Sequence, residues 1–347
     1  MLKSLLKLLL QLILIALFIL LLIEHKLALY GIQQGSGQLQ LIWNAKPIDN
    51  VLKDVNFSES FKQKLILIKE IKQYTIDSLG MNPTENYCSV FDQKNKSLLL
   101  NISACKPFAF EPKEWTFPFL GTVPYKGFFD KKEAEKEILN LKMQDYDIDA
   151  YYPSGWSTLG WFNDPILSNM LKRNEGSLSN LIIHELTHGT LFVKNNVNFN
   201  ENLANFIADK GAEQFLLQKF GSNSKQYREY KHEKSDEKIY DTYILKSAER
   251  LDSLYKKMLD NEDDKIKKEK KNQLIQEIVQ GVYDLPLFKK KDYFNYSKQA
   301  FFEGNAFFMT FTRYDSQYDL FNKDFTEHYK SNLKKYLFVL KEKFPSI

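Results

Sequence analysis

The sequence predicts an α+β fold that is predominantly α-helical and contains a small β-sheet or hairpin region. Apolar residues recur with helical spacing from residue 34 to 80, and again from residue 179 almost to the end of the chain. Between these regions the pattern changes to that of strands. With 347 residues, 44% of them hydrophobic, the chain is long enough to bury a substantial core in one large domain or two small ones.

Helix signals bracket the first helical region. Pro47 suits a first helical turn, Ser58 opens a long amphipathic run, and Gly80 ends it. Two strands at 87–91 and 97–104 are predicted to follow, joined as a hairpin by the polar segment 92–96.

The two cysteines of the chain, Cys88 and Cys105, would lie nearly opposite each other in that hairpin. They would form a disulfide if the domain is exported, or remain two small reduced side chains. Two cysteines are too few for a disulfide scaffold, and their separation is not that of a metal site.

Further along, Asp130 is predicted to cap a helix that continues to about Met143, and Asn200 to cap another. Residues 222–292 are dense in Lys and Glu, which is typical of the solvated face of exposed helices rather than of a polyanion site. The whole chain carries 48 basic and 44 acidic residues, a net charge of only +4. Nucleic acid is therefore not predicted as a partner.

The N-terminus carries a long apolar run, residues 5–23, preceded by Lys3. This run is long enough to cross a bilayer and lacks a small-residue cleavage site after it, so residues 1–26 are predicted to be an uncleaved transmembrane anchor. The alternatives are a cleaved signal peptide and a buried soluble helix. The weak bias of flanking charge favours a single-pass protein of the inner (cytoplasmic) membrane, with residues 27–347 forming a domain on the periplasmic or outer side.

The segment 181–190 contains His184, Glu185 and His188 in the His-Glu-x-x-His spacing of zinc peptidases. Two imidazoles four residues apart point from one face of a helix, as a tetrahedral Zn²⁺ requires of its first two ligands. The alternative is a helix whose two histidines only cap the helix or pack against neighbouring side chains.

A catalytic zinc takes three protein ligands and leaves one position open, so a third ligand is needed. Glu201 is the candidate, because an antiparallel return after the turn at 194–198 brings it back toward the histidines. Glu201 could instead be an ordinary first-turn glutamate, and Glu213 is the next alternative ligand.

Glu185 is then predicted to be the general base that accepts a proton from the zinc-bound water as it attacks a peptide carbonyl. Tyr314 and Arg313 are the candidate donors to the developing oxyanion. The strand-like segment upstream of the motif is a candidate substrate-binding edge, and the alternative is a core strand with buried tryptophans. Its predicted substrate-binding residues are Ser157, Thr158, Leu159, Gly160 and Trp161.

Several segments, in order along the chain, resemble the bacterial predicted-aminopeptidase family of zinc-dependent proteins. They are residues 30–49 in part, 86–87, 110–115, 125–130, 157–165, 184–188 and 199–206. The resemblance implies a zincin-like, gluzincin-type metallopeptidase in which His184, His188 and Glu201 bind the metal and Glu185 is catalytic. One position departs from expectation, since Asn202 stands where glycine is expected.

Two functions of different classes follow from these patterns. The first is a membrane-anchored zinc metallopeptidase, an aminopeptidase by resemblance, that acts on a peptide or protein substrate and contacts the lipid bilayer through residues 5–23. The second is a noncatalytic membrane-tethered scaffold that keeps the peptidase fold. The sequence does not decide the oligomeric state.

Overall fold

The fold is mostly helical, in agreement with the predicted class. A computed structural model of the chain describes residues 25–117, 121–153, 155, 163–259, 261–314 and 317–344, with the side chains of 25, 26, 313 and 314 excepted. The α-helices of this part are α1 (His25–Asn44), α2 (Ile48–Lys53), α3 (Glu59–Asp77), α4 (Lys131–Met143), α5 (Glu175–Thr190), α6 (Val197–Phe220), α7 (Lys225–Tyr255), α8 (Asp264–Gly281), α9 (Lys290–Ser297), α10 (Ala300–Glu303), α11 (Asn305–Tyr314), α12 (Tyr318–Tyr329) and α13 (Leu333–Lys343). Two 3₁₀ helices cover Ser168–Lys172 and Val282–Asp284.

Short strands form three small sheets in the described residues. The strands are β1 (Lys46–Pro47), β2 (Ser89–Phe91), β3 (Leu100–Cys105), β4 (Trp115–Phe117), β5 (Gly121–Val123), β6 (Lys126–Phe128), β7 (Asp147–Tyr151) and β8 (Ile166–Leu167). The sheet orders are β1-β2-β8, β6-β3-β7 and β4-β5. All pairs are antiparallel except β2 with β8, which are parallel.

The predicted helix starts are confirmed at two caps. The Ser58 hydroxyl accepts the backbone N–H of Phe61 at the start of α3. Asp130 accepts the backbone N–H groups of Lys132 and Glu133 at the start of α4, which ends at Met143 as expected. Both side chains satisfy N–H groups that have no partner within the first helical turn.

The predicted hairpin of 87–91 with 97–104 is wrong, because β2 and β3 lie in different sheets. The polar connection does turn, since the backbone N–H of Lys96 donates to the carbonyl of Gln93 at 2.9 Å, but the chain then joins a different sheet. The Gln93 side chain accepts the backbone N–H of Asn169 and donates to the carbonyl of Lys96, which fixes the connection against the 3₁₀ helix after β8.

The two cysteines are therefore in different sheets or at their edges, and both are free thiols. Cys88 is exposed and accepts a hydrogen bond from the buried Lys72 ammonium at 2.9 Å. Cys105 is buried and donates to the carbonyl of Ala109. Of the two alternatives, the structure has the reduced pair.

Two large clusters of buried apolar side chains organise the helices. The first packs α3, α5 and α6 against the C-terminal helices α12 and α13, with Phe206 and Tyr336 among its largest members. The second joins α7, α8 and α11 around Tyr240, Phe307 and Phe308. The helices of the densely charged region 222–292 thus have apolar inner faces that form a separate core. The overall composition of that region does not reveal these faces.

The predicted membrane location requires correction. Among the described residues, no helix combines the length and the apolar character that crossing a bilayer demands. This finding contradicts a single-pass membrane protein. The apolar run 5–23, on which the prediction depended, lies outside the described residues.

Candidate metal centre

The centre is built by two neighbouring helices, α5 and α6, that run antiparallel. His188 near the end of α5 faces Glu201 near the start of α6. Asn180, about two turns earlier on α5, faces Asp209, which lies later on α6. His184 and His188 are four residues apart on α5, so their rings lie on one face of that helix. The turn between the helices therefore brings the third predicted ligand back to the two histidines.

Three ligand atoms converge at this point: Nε2 of His184, Nε2 of His188 and Oε2 of Glu201. The two Nε2 atoms are 3.1 Å apart, and the carboxylate oxygen lies 3.3 Å from His184 and 3.4 Å from His188. A tetrahedral zinc site with ligand distances of about 2.0–2.1 Å has edges of about 3.3–3.4 Å. The triangle therefore has the dimensions of one face of such a tetrahedron, and this His-His-Glu cluster can hold a metal ion.

The local electrostatics fit the same role. Burial opposes ionisation of Glu201, but the charge of His188 and hydrogen bonds from both imidazoles outweigh it and hold the Glu201 pKa well below its usual range. His188 is buried, and its Nδ1 has no hydrogen-bond partner within the described part of the chain. An ionised carboxylate and neutral imidazoles are the forms that bind a divalent metal.

The sequence misplaced the start of α6. Asn196, not Asn200, caps this helix by accepting the backbone N–H of Phe199, so Glu201 lies in the second turn rather than the first. Asn200 is buried and forms two hydrogen bonds of 2.8 Å to the backbone N–H and carbonyl of Val193. It therefore fastens the interhelical loop to α6, which sets the approach of the two ligand helices.

Asn202 stands where the resemblance leads one to expect glycine, and its side chain forms hydrogen bonds away from Glu201. Its side-chain oxygen accepts the backbone N–H of Gln317 at 2.8 Å, and its amide donates to the carbonyl of Asn198. The side chain thus points away from the α5 contact and joins α6 to the segment before α12.

Glu185 lies between the two histidines in sequence and next to a second chain segment in space. Burial raises its pKa to about 7, with Glu201 and Asp164 adding to the rise while His184 and Arg173 oppose it. Gly155 packs directly on its carboxylate, since a Cβ at that position would stand 2.0 Å from Oε1 of Glu185. Gly155 thus covers the candidate base from one side.

Three further residues interact electrostatically with Glu185: Tyr87, Asp164 and Arg173. The sequence analysis assigned none of them a role. Tyr87 is fully buried and has a positive φ of 59°, an uncommon conformation for a bulky residue. The backbone N–H of Tyr87 donates to the carbonyl of Asp164. Segments 86–87 and 157–165 were part of the resemblance, which was the available signal for the first two; nothing in the sequence singled out Arg173.

The remaining predicted site residues are placed as follows. Glu213, the alternative ligand, binds Lys231 at 2.7 Å and Tyr227 at 3.2 Å, and it does not belong to the His-His-Glu cluster. Tyr314 is the last residue of α11, and its side chain is outside the described part of the structure. The five predicted substrate-binding residues, Ser157, Thr158, Leu159, Gly160 and Trp161, also lie outside the described residues.

Comparison with known proteins gives one result at the level of the family. No curated protein and no solved structure matches the chain significantly. The sequence model of a family described as "Putative aminopeptidase" matches residues 29–342, which is most of the chain. That family points to peptidase activity, and a cluster able to hold a metal is consistent with a metallopeptidase. The chain therefore belongs to the putative aminopeptidase family.

Proposed function

We propose that this protein is a zinc-dependent peptidase of the gluzincin type. The observation that carries the proposal is the triangle of Nε2, Nε2 and Oε2 atoms, with edges of 3.1, 3.3 and 3.4 Å. Two imidazoles and one carboxylate are a donor set of catalytic zinc sites, which keep the fourth position for water or substrate. His184, His188 and Glu201 would hold the ion.

When bound, zinc lowers the pKa of a water molecule toward about 7 and polarises the substrate carbonyl. Glu185 accepts the proton of the attacking water and passes it to the leaving amine. Its partly buried carboxylate suits both steps, because a pKa near the working pH allows a group to take up and release a proton. Gly155 restricts the carboxylate from one side and thereby orients it.

Tyr314 is proposed as the donor to the developing oxyanion. In support, the chain just after Tyr314 is bonded to α6. Gln317 donates its backbone N–H to Asn202, the residue next to Glu201. Residues 157–161 are proposed to hold the substrate backbone by strand addition. Support comes from Gly155, which contacts Glu185 only two residues before that segment.

The proposal is tested on the full chain loaded with Zn²⁺ and incubated with a peptide library. We expect cleavage that a chelator abolishes and Zn²⁺ restores. Glu185→Gln should retain the metal while losing about 10²- to 10⁴-fold in kcat/KM, the usual contribution of a general base. Glu213→Gln is the matched control, because Glu213 lies on the same helix as Glu201 but binds Lys231 instead.

Equal cleavage by Glu185→Gln and the unchanged chain would remove Glu185 from the mechanism. Absence of cleavage with zinc bound would instead favour the scaffold function. The library also tests the aminopeptidase assignment, because acetylation of the peptide N-terminus should abolish cleavage by an aminopeptidase and leave internal cleavage intact.

A further inference from the structure

A cavity of about 200 Å³ is bordered by Pro153, two residues before the Gly155 that packs on the candidate base, and it belongs to none of the predicted site segments. Its wall is mostly apolar and includes Leu41, Leu99, Phe129 and Leu167. Pockets that enclose drug-sized ligands usually measure about 300–1,000 Å³, so this one has room for a single residue of a peptide. No aspartate or glutamate is among the described residues that line it.

Arg173 is the one charged side chain among those lining residues. It is partly buried, yet in the described part of the chain its guanidinium forms neither a hydrogen bond nor an ion pair. A guanidinium carries five N–H donors in a planar fork that matches a carboxylate. Burying this group is costly, and burial lowers the Arg173 pKa although the Glu185 carboxylate opposes the shift.

A second lining residue also has an unused polar atom. Asn169 donates to the carbonyl of Lys96, but its buried Oδ1 accepts no hydrogen bond from any residue that the structure describes. That oxygen has almost no exposed surface, so the group that the cavity offers to a ligand is the Arg173 guanidinium. A carboxylate of a peptide is the group that complements it.

The position of the cavity connects it to the metal centre. Tyr152 and Pro153 line it, and Gly155, two residues after Pro153, packs on the Glu185 carboxylate. Arg173 also interacts electrostatically with Glu185. A group bound in the cavity would thus lie within a few residues of a peptide bond held at the centre.

We propose that this cavity is a specificity subsite that binds a carboxylate of the substrate, with Arg173 as the residue that recognises it. The inference rests on the proposed peptidase function. The carboxylate has two possible sources, an acidic side chain or the free C-terminus of a short peptide.

Arg173 has an alternative role as a counter-ion that only tunes Glu185. The two roles differ in what they predict for substrates. A counter-ion affects all peptides alike, whereas a subsite residue affects acidic peptides more than their neutral equivalents. The ratio of kcat/KM for matched peptides therefore separates them.

The experiment uses the zinc-loaded full chain and pairs of short peptides. In one set a single Glu is moved through each position and compared with Gln; in the other the C-terminal acid is compared with the amide. We expect one set to show a preference of about 10- to 100-fold for the acid, the range of a charge-assisted hydrogen bond. Arg173→Gln should reduce that ratio to about 1, while Lys172→Gln, its exposed basic neighbour, should leave it unchanged.

A binding measurement keeps this inference separate from the proposed function. Isothermal titration of the acidic peptides of both sets into chelator-treated protein should give, for one set, a Kd that rises at least about 10-fold in Arg173→Gln. Binding that depends on Arg173, without any hydrolysis, would contradict the proposed peptidase function and support the subsite. Hydrolysis with no acid preference in either set, or an acid preference that survives Arg173→Gln, would overturn the subsite and keep the peptidase.

Discussion

The helix pair α5 and α6 carries a buried carboxylate toward each end, and the two are compensated in opposite ways. Asp209 binds the Lys234 ammonium at 2.7 Å and the Asn180 amide at 2.7 Å, a closed arrangement of protein groups. Glu201 contacts two imidazoles, and no Lys or Arg forms an ion pair with it in the described residues.

Under the proposed function, this difference separates a structural end from a chemical one. At the Asp209 end, burial disfavours the Lys234 ammonium, but Asp209 and Glu237 outweigh it and hold the Lys234 pKa well above its usual range. The Lys234 ammonium thereby keeps its charge, and the ion pair fastens α6 to α7. At the Glu201 end, a carboxylate of the same kind faces two imidazole nitrogens, a set of groups that can bind a metal ion.

The largest effect should come from removing a ligand at the Glu201 end. We expect His184→Ala to lose the metal and at least about 10³-fold in kcat/KM, because several kcal/mol of transition-state stabilisation depend on the ion. The measurement is zinc by atomic emission together with peptide hydrolysis. His232→Ala, a histidine stacked on Phe288 away from the centre, is the control and should retain both. Equal loss in the two variants would mean that the effect is not specific to the centre.

The close packing at that end should be sensitive to a single methyl group. In Gly155→Ala the new Cβ would stand 2.0 Å from Oε1 of Glu185 and 2.9 Å from Leu181, so the carboxylate must move. A displacement of this size is expected to lower kcat about 100-fold while zinc content stays the same. In Gly189→Ala, on α5 itself, the added Cβ meets nothing within 4 Å and should leave kcat close to normal. Full activity of Gly155→Ala would show that Glu185 need not be held where it is.

At the Asp209 end, the expected loss is in stability rather than in chemistry. Lys234→Met leaves Asp209 partly buried without its cation, and we expect the free energy of unfolding to fall by about 2–3 kcal/mol, allowing for partial solvent screening. Zinc per folded chain should not change. Lys238→Met removes an exposed lysine that lies 3.6 Å from Asp319 and should cost less than about 1 kcal/mol. Loss of zinc in folded Lys234→Met would contradict the division between the two ends.

A third carboxylate, Glu303, sharpens the comparison because neither a cation nor an imidazole contributes to its shift. Burial, and then Asp149, raise its pKa from 4.5 to about 8. Between those two pH values the folded state keeps a proton that the unfolded state releases, so this group's contribution to stability falls as the pH rises from about 4.5 to 8.

Glu303→Gln stays neutral and avoids that loss. Relative to the unchanged chain, its free energy of unfolding should increase between pH 5 and 8 by an amount on the order of 1 kcal/mol. Urea denaturation at several pH values measures this difference. A difference that stays constant with pH would show that Glu303 titrates normally in the folded protein.

The sequence predicted the parts of this molecule that local chemistry determines. The caps at Ser58 and Asp130 and the pairing of His184 with His188 depend on residues within one or two helical turns. Glu201 could be predicted as their partner because only a short loop separates α6 from α5, the helix of the two histidines.

Most of the failures involve contacts between distant parts of the chain. The strands after Tyr87 pair with β1, β6, β7 and β8 instead of with each other, and strand alternation does not encode the choice of partner. Arg173 and Gly155 meet at Glu185 only through tertiary packing, so neither carries a signal in the motif itself. Asn196 and Asn200 were both possible helix caps. Asn196 is the cap, because the Asn200 side chain is bonded to the backbone of Val193 in the loop.

The most direct test of the central claim is the zinc content of the purified full chain and of two matched variants on α6. We predict about one zinc per chain in the unchanged protein and in Glu213→Gln, and a substoichiometric amount in Glu201→Gln after the same dialysis. An unchanged protein that binds no zinc, or a Glu201→Gln variant that holds zinc as tightly as Glu213→Gln, would contradict the His184, His188 and Glu201 site.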